Sequence, residues 1–197
     1  MRIGVISDTH LDDGGPGPSP GLSQGGGKRL PQQVLDTFRA AGVGLILHCG
    51  DLGTSTAVLD HLETVAPVKA VRGYPDPREE GDRLAETVRV LEVEGVRIGM
   101  VHDLAWPGPP IRYTTRLEFP PGDLAQTLSM KFGQPVDVVV HGDTHEEDIA
   151  WHQGVLFINP GSPTCPGLRH PVGELGTVAL LDVYNGVVSA EIIKLRP

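Results

Sequence analysis

The stretch Arg2-Ile3-Gly4-Val5-Ile6-Ser7-Asp8-Thr9-His10 decides how the rest of the chain is read. Ile3 to Ile6 has strand character and runs into two side chains able to bind metal. In extended backbone the side chains at i and i+2 share a side, so Asp8 and His10 are expected to point together beyond the strand's carboxyl end. That is half of a metal site.

Outward from this strand, residues 11–29 are dominated by Gly and Pro and read as a surface loop inserted near the first strand's end. Gly25-Gly26-Gly27 is not a phosphate loop, because no strand precedes it and no Gly-Lys-Ser/Thr follows. From Leu30 a helical period begins, marked by Val34, Leu35, Phe38 and Ala41 and ended by Gly42. Val43 to His48 reads as a buried strand leading into Cys49-Gly50-Asp51. A helix capped by Thr54 or Ser55 follows, with Val58, Leu59, Leu62 and Val65 on one face and Pro67 as its stop. Val68 to Val71 is a third strand, and this order implies parallel pairing with right-handed crossovers.

The second half changes character. Val88 to Glu94 and Val96 to His102 flank a Glu94-Gly95 turn, and residues 106–121 form a Pro-rich connection. A short helix around Leu124, Leu128 and Phe132 precedes the strand Val136 to Val140, which delivers His141-Gly142-Asp143-Thr144-His145. Two more hairpins follow: Ile149 to Trp151 with Val155 to Ile158, then Thr177 to Val183 with Val187 to Leu195 across Asn185-Gly186. The expected fold class is α/β, with two packed mixed β-sheets flanked by helices.

At 197 residues the chain suits one domain, and neither a repeat nor an interdomain linker is visible. A hydrophobic fraction of 39% and a mean hydropathy of −0.08 are those of an ordinary globular protein without a membrane span or a signal-peptide pattern. The net charge of −9, from 16 Lys+Arg against 25 Asp+Glu, disfavours nucleic acid and anionic membranes as partners. Cys49 and Cys165 form no disulfide framework and are read as free thiols in a reducing cytoplasm. Oligomeric state is left open, a homo-oligomer included.

Four strands end in metal-capable residues: Asp8 with His10, Asp51, His102, and Asp143 with His145. The carboxyl ends of strands in α/β folds converge on one crevice, so these residues can meet. Imidazoles and carboxylates without a thiolate suit Mn2+, Fe2+ or Zn2+. A carboxylate such as Asp51 can bridge two ions, an arrangement that serves phosphoester hydrolysis.

In this order Asp8-Thr9-His10, Gly50-Asp51, Val71-Arg72-Gly73 with Asp76, His102, Gly142 with Thr144-His145, and Asn159-Pro160-Gly161-Ser162 resemble the calcineurin-like metallophosphoesterases. The similarity is to their small single-domain prokaryotic phosphodiesterase branch, to which the retromer's phosphoesterase-like subunit is related. The resemblance implies an α/β/β/α sandwich and two divalent ions, foremost Mn2+, with Fe2+, Zn2+ or Ni2+ as alternatives. It assigns Asp8, His10, Asp51 and His145 to a first ion and Asp51, His102 and Asp143 to a second. Asp51 and His102 are then the catalytic pair, and a metal-bridging hydroxide attacks a small or nucleotide-like phosphodiester. The rival expectation is a degenerate member that serves as a protein-binding scaffold.

Two positions depart from the family pattern. Tyr74 stands where the family has Asn, and Asp143 where it has the first His of Gly-His-Thr-His. A carboxylate remains a suitable ligand, whereas a phenol of reference pKa about 10 is a poor one. The residue after Tyr74 is Pro75, so the family's usual leaving-group acid is absent. If residues 141 to 145 stay extended, His141 faces the same way as Asp143 and His145, but Gly142 permits a bend. His48 is read as an outer partner of a ligand, and Asn159 and Ser162 as presenting polar groups to phosphate or to ligands. Arg169 is a candidate phosphate contact, and His61, His152 and His170 are expected to be surface polar residues.

Overall fold

Gly4 lies in the middle strand of a five-stranded sheet, and the ring of Phe38 lies flat against it. The computed structural model of the protein describes residues 1–11, 29–78, 83–171 and 173–196. The expected 11–29 loop falls outside them except for Leu11 and Arg29.

The first half forms β1 (Arg2–Ile6), α1 (Gln32–Ala40), β2 (Leu45–His48), α2 (Ala57–Glu63) and β3 (Val68–Ala70). The second half forms β4 (Val88–Val93), β5 (Val96–Val101), β6 (Arg112–Tyr113), β7 (Leu117–Glu118), α3 (Leu124–Phe132), β8 (Val138–Val140), β9 (Glu147–His152), β10 (Val155–Pro160), β11 (Thr177–Tyr184) and β12 (Val187–Lys194).

The sheets run β12-β11-β1-β2-β3 and β4-β5-β8-β10-β9, with β6-β7 as a separate small ribbon inside the Pro-rich connection. In the first sheet β1, β2 and β3 are parallel, and β11 joins β1 antiparallel. In the second, β8 lies parallel to both β5 and β10. The sandwich is therefore mixed in both sheets, as the sequence order implied. The return of the last hairpin to β1 is a pairing that no local pattern announces.

Three clusters of buried side chains define the layers. Val34 and Phe38 of α1 and Leu59 and Leu62 of α2 pack on the first sheet. Ile3, Val5 and Leu47 meet Ile98, Met100, Val138 and Ile158 between the sheets. Leu128 and Phe132 of α3 pack on the outer face of the second sheet. The hairpin turns at Glu94-Gly95, Gln153-Gly154 and Asn185-Gly186 have positive φ at both central residues, the geometry that matches strand twist. Ser55 Oγ accepts the Ala57 amide at 3.3 Å, so it serves the start of α2, although Thr56 occupies the cap position.

Each sheet seats its helix by the same device. A Cβ on Gly4 would come within 2.9 Å of the Phe38 ring, and one on Gly99 of β5 within 2.9 Å of the Phe132 ring. Neither glycine has positive φ, so a substitution there acts through overlap alone. Gly4→Val and Gly99→Val are each expected to lower unfolding free energy in urea by about 1–3 kcal/mol. Equal midpoints for variant and parent would show that the rings can move away at no cost.

Candidate metal centre

The two strand pairs β1/β2 and β5/β8 end on one side of the interface between the sheets, and their following loops carry the predicted ligands. β1 stops at Ile6, before Asp8 and His10. Both of those residues have left-handed backbone, φ 54 and 42 respectively, and Asp51, Asp143 and His145 share this conformation at 55, 71 and 59. The side chains therefore converge by local turns and not by strand parity, which corrects the i, i+2 argument. Left-handed backbone costs roughly 1 kcal/mol or more per non-glycine residue and is commonest in Asn, Asp and His, so the strain is gathered where metal-capable side chains stand.

Two overlapping groups result, Asp8 with His10 and His145, and Asp8 with Asp51 and His102; within each the donor atoms lie within 4.8 Å of one another. His10 Nε2 is 3.1 Å from His145 Nε2, and His145 Nε2 is 3.5 Å from Asp8 Oδ1. The Asp51 carboxylate spans the groups: Oδ2 is 3.6 Å from His10 Nε2, and Oδ1 is 3.2 Å from His102 Nε2. Asp143 stands at the margin, with Oδ1 3.8 Å from His102 Nε2 and its side chain 41% exposed.

The donor set fits a divalent cation. Asp8 Oδ1 and His102 Nε2 are both buried without a hydrogen-bond partner, although each faces atoms of the cluster. A cation between them would satisfy both. His102 Nδ1 donates to the Cys49 carbonyl at 2.8 Å, and His145 Nδ1 to the Cys165 carbonyl at 2.6 Å. These acceptors fix both rings with Nε2 turned inward.

Burial pushes the Asp8 carboxyl up to about 6 against the pull of His102 and His145. Burial works against the His102 imidazolium, but Asp51 and Asp8 overcome it and raise its pKa to about 10. A metal ligand must give up that proton, so the carboxylates that hold it also compete with the metal.

The other predicted residues find different places. His48 is fully buried, its Nδ1 accepting the Gly50 amide at 3.2 Å and its Nε2 3.2 Å from Thr9 Oγ1; burial lowers its pKa to about 3. The carboxamide of Asn159 donates to the Gly142 carbonyl and to Thr144 Oγ1, both at 3.0 Å, and accepts from Gly161. Ser162 Oγ donates to the Asp8 carbonyl at 2.6 Å. These two polar groups bind backbone beside the donors.

His141 is buried outside both groups, with Nε2 unpartnered and its pKa lowered to about 4 by burial. The left-handed backbone of Asp143 breaks the extended run that the parity argument required, and His141 belongs to neither group of donors. Tyr74 is 65% exposed, and its hydroxyl donates to Asp103 Oδ2. Its amide, not its phenol, reaches the cluster, donating to Asp51 Oδ1 at 3.0 Å. Arg169 pairs with Glu146 and with the Tyr113 hydroxyl. His170 is not a surface group: its side chain is 6% exposed and pairs with Glu147 at 2.8 Å.

Asp76 is the most consequential residue that sequence reasoning left without a role. Its Oδ2 accepts the amides of Asp51 at 2.9 Å and Gly73 at 2.7 Å, and its Oδ1 that of Leu52 at 2.6 Å. It thereby ties the loop after β2 to the loop after β3. A Cβ on Gly73 would overlap Asp51 Oδ1, and one on Gly142 would overlap Ser7 Oγ, so backbone is pressed directly against the cluster. The spacing of Asp76 from Gly73 was visible, but its partners are backbone amides with no sequence signature.

Comparison with known proteins gives this geometry its context. The calcineurin-like phosphoesterase superfamily domain matches residues 1–186. A probable metallophosphoesterase of Methanothermobacter thermautotrophicus is 35% identical over 194 residues, covering 98% of this chain and 92% of its own length. One of Methanocaldococcus jannaschii is 35% identical over 186 residues, covering 92% and 77%. Among solved structures, Vps29 of Entamoeba histolytica in complex with Zn2+ superposes with a TM-score of 0.62 at 23% identity, over 98% of this chain and 99% of that one. An archaeal phosphodiesterase does so at 0.60 and 22%, over 98% and 100%. The chain belongs to the calcineurin-like phosphoesterase superfamily.

Two outcomes are expected from this arrangement. Asp76→Asn loses most of its capacity to accept three amides and is expected to weaken metal binding about 10- to 100-fold in calorimetric titration, with little change in far-UV circular dichroism. His141 is protonated in the unfolded chain below its ordinary value of 6.5 but in the folded chain only near about 4. Its contribution to stability is thus present above 6.5 and lost as pH falls toward 4. With chelator present, the parent is expected to lose roughly 1.4 kcal/mol per pH unit across that window relative to His141→Phe. Parallel stability curves for the two proteins would refute it.

Proposed function

We propose that this protein is a divalent-metal-dependent phosphodiesterase acting on a small or nucleotide-like phosphodiester. The observation that carries the reading is the Asp51 carboxylate, whose two oxygens face different imidazoles, His10 at 3.6 Å and His102 at 3.2 Å. In this reading Asp8, His10, Asp51 and His145 hold one ion, and Asp51, His102 and Asp143 hold the other. Two ions so placed supply Lewis acidity toward a phosphoryl oxygen and lower the pKa of a water.

The chain's own part is orientation and charge. The Cys49 and Cys165 carbonyls keep His102 and His145 aimed. Asp76 holds the backbone of Asp51 in place, and Ser162 holds that of Asp8. Hydrogen bonding to Asp103, with burial, raises the Tyr74 phenol to about 12. The Tyr74 hydroxyl is a weak acid already committed to Asp103, and substrates whose leaving group needs little acid help are favoured.

Mn2+ is the preferred ion in this reading, with Fe2+, Zn2+ and Ni2+ as alternatives. A reducing cytoplasm is the proposed compartment, supported by two cysteines that are both free thiols. Among the described residues no helix is long and apolar enough to cross a membrane.

The test is metal stoichiometry combined with turnover. After stripping and reloading with Mn2+, the protein is expected to hold two ions per chain and to cleave bis-p-nitrophenyl phosphate faster than p-nitrophenyl phosphate. Asp51→Asn should lower kcat/KM by about 1,000-fold, as expected when a bridging carboxylate is removed. One ion or none, with no cleavage of the diester, the monoester or cyclic nucleotides, would replace this reading by that of a protein-binding scaffold.

A further inference from the structure

Beside the metal centre lies a cavity of about 480 Å3, bordered by Arg72, Arg78, Tyr74 and Trp106 and reaching His102 and Asp103 at its inner end. His102 belongs to both cavity and centre, so the two are continuous. The volume is that of a small-molecule site.

Two features of its wall lack a structural purpose. Arg2, Arg83, Arg97 and Arg169 each have a carboxylate partner. Among the described residues the guanidinium groups of Arg72 and Arg78 have no such partner, as is true also of the exposed Arg112 and Arg116; what sets the first two apart is that both border this cavity. The carboxylates that share the wall are engaged elsewhere. Asp76 accepts three backbone amides, and Asp103 accepts the Tyr74 hydroxyl and the Ala105 amide. In a chain of net charge −9, two guanidinium groups without a carboxylate partner among the described residues give this wall the chemistry to attract an anion.

The second feature is aromatic. Tyr74 is 65% exposed and Trp106 is 55% exposed, although both are large enough to gain from burial. The Tyr74 ring lies perpendicular to the His102 ring at 5.7 Å and is anchored through its hydroxyl to Asp103, so the exposed part of the ring is held in place before any ligand arrives. Planar bases stack on such rings.

We propose that this cavity binds a nucleotide carrying two phosphate groups, the base against Tyr74 and Trp106 and one phosphate on Arg72 and Arg78. The second phosphate then lies toward His102, an orientation that rests on the phosphodiesterase reading. Substrate choice is set by a doubly anionic nucleotide arm and not by the ester alone.

Trp106 reports binding directly, because the chain has two tryptophans and Trp151→Phe leaves only this one. In that background, with Mg2+ present, ADP is expected to quench the remaining indole fluorescence and to bind at least about tenfold more tightly than adenosine. Arg72→Gln and Arg78→Gln should each weaken ADP about tenfold while adenosine is unaffected, and Tyr74→Ala should weaken both. Arg78 is exposed, so that variant remains informative if the Arg72 change perturbs folding. No quenching by millimolar ADP, or ADP and adenosine bound equally and insensitive to both arginine changes, overturns the proposal. Failure to cleave bis-p-nitrophenyl phosphate alongside arginine-dependent ADP binding would remove the phosphodiesterase reading and leave the nucleotide site standing.

Discussion

Asp8 is completely buried, and its two oxygens have different surroundings: Oδ2 accepts the Asp143 amide at 3.1 Å, and Oδ1 has no hydrogen-bond partner. An ionised carboxylate left so is unfavourable by several kcal/mol, and burial accordingly shifts it toward its protonated form. Neutralisation by proton or by cation is therefore built into the position. Much else serves to keep it there. β1 is the middle strand of its sheet, the Ser162 and Thr164 hydroxyls hold the Asp8 and Thr9 carbonyls, and Gly142 leaves room where any Cβ would collide.

The backbone around that carboxylate is strained in a patterned way. Five of the six predicted ligands have left-handed backbone, while His102, the sixth, continues directly from β5. Hydrogen bonds from the Asp8 and His10 amides to the Gly50 and Asp51 carbonyls hold two strained turns side by side. The strain is tolerated because both sheets are rigid and well packed on their inner faces. A looser scaffold would relax these turns and lose the convergence.

Most of the fold could be read from the sequence because its signals are local. The helical period through Val34 and Phe38, the Asn185-Gly186 turn and the strand ending at Asp51 each announce themselves within a few residues. The list of metal-capable side chains at strand ends was readable for the same reason. What escaped is made of backbone or of distance. The Cys49 and Cys165 carbonyls that orient the imidazoles, and the three amides gathered by Asp76, belong to no residue type. The left-handed turns cannot be inferred from alternation, which is why strand parity proposed a convergence by the wrong geometry. The β6-β7 ribbon was hidden because Pro and Gly dominate its flanks.

Arg2 is paired with Asp182, 180 positions along the chain, and the ammonium group of Met1 reaches the Val183 carbonyl. The strand that begins the metal centre is thus flanked by one partner made early, β2, and one made late, β11. Closing so long a loop is entropically slow and is rewarded only once the distant hairpin has formed. During synthesis, then, Asp8 and His10 leave the ribosome long before His145 or the hydroxyls of Ser162 and Thr164 exist to complete their surroundings. Metal capture belongs to the end of folding, and a chain interrupted before β11 would carry all six donors while β1, which leads to the first two, still lacked its second neighbour in the sheet.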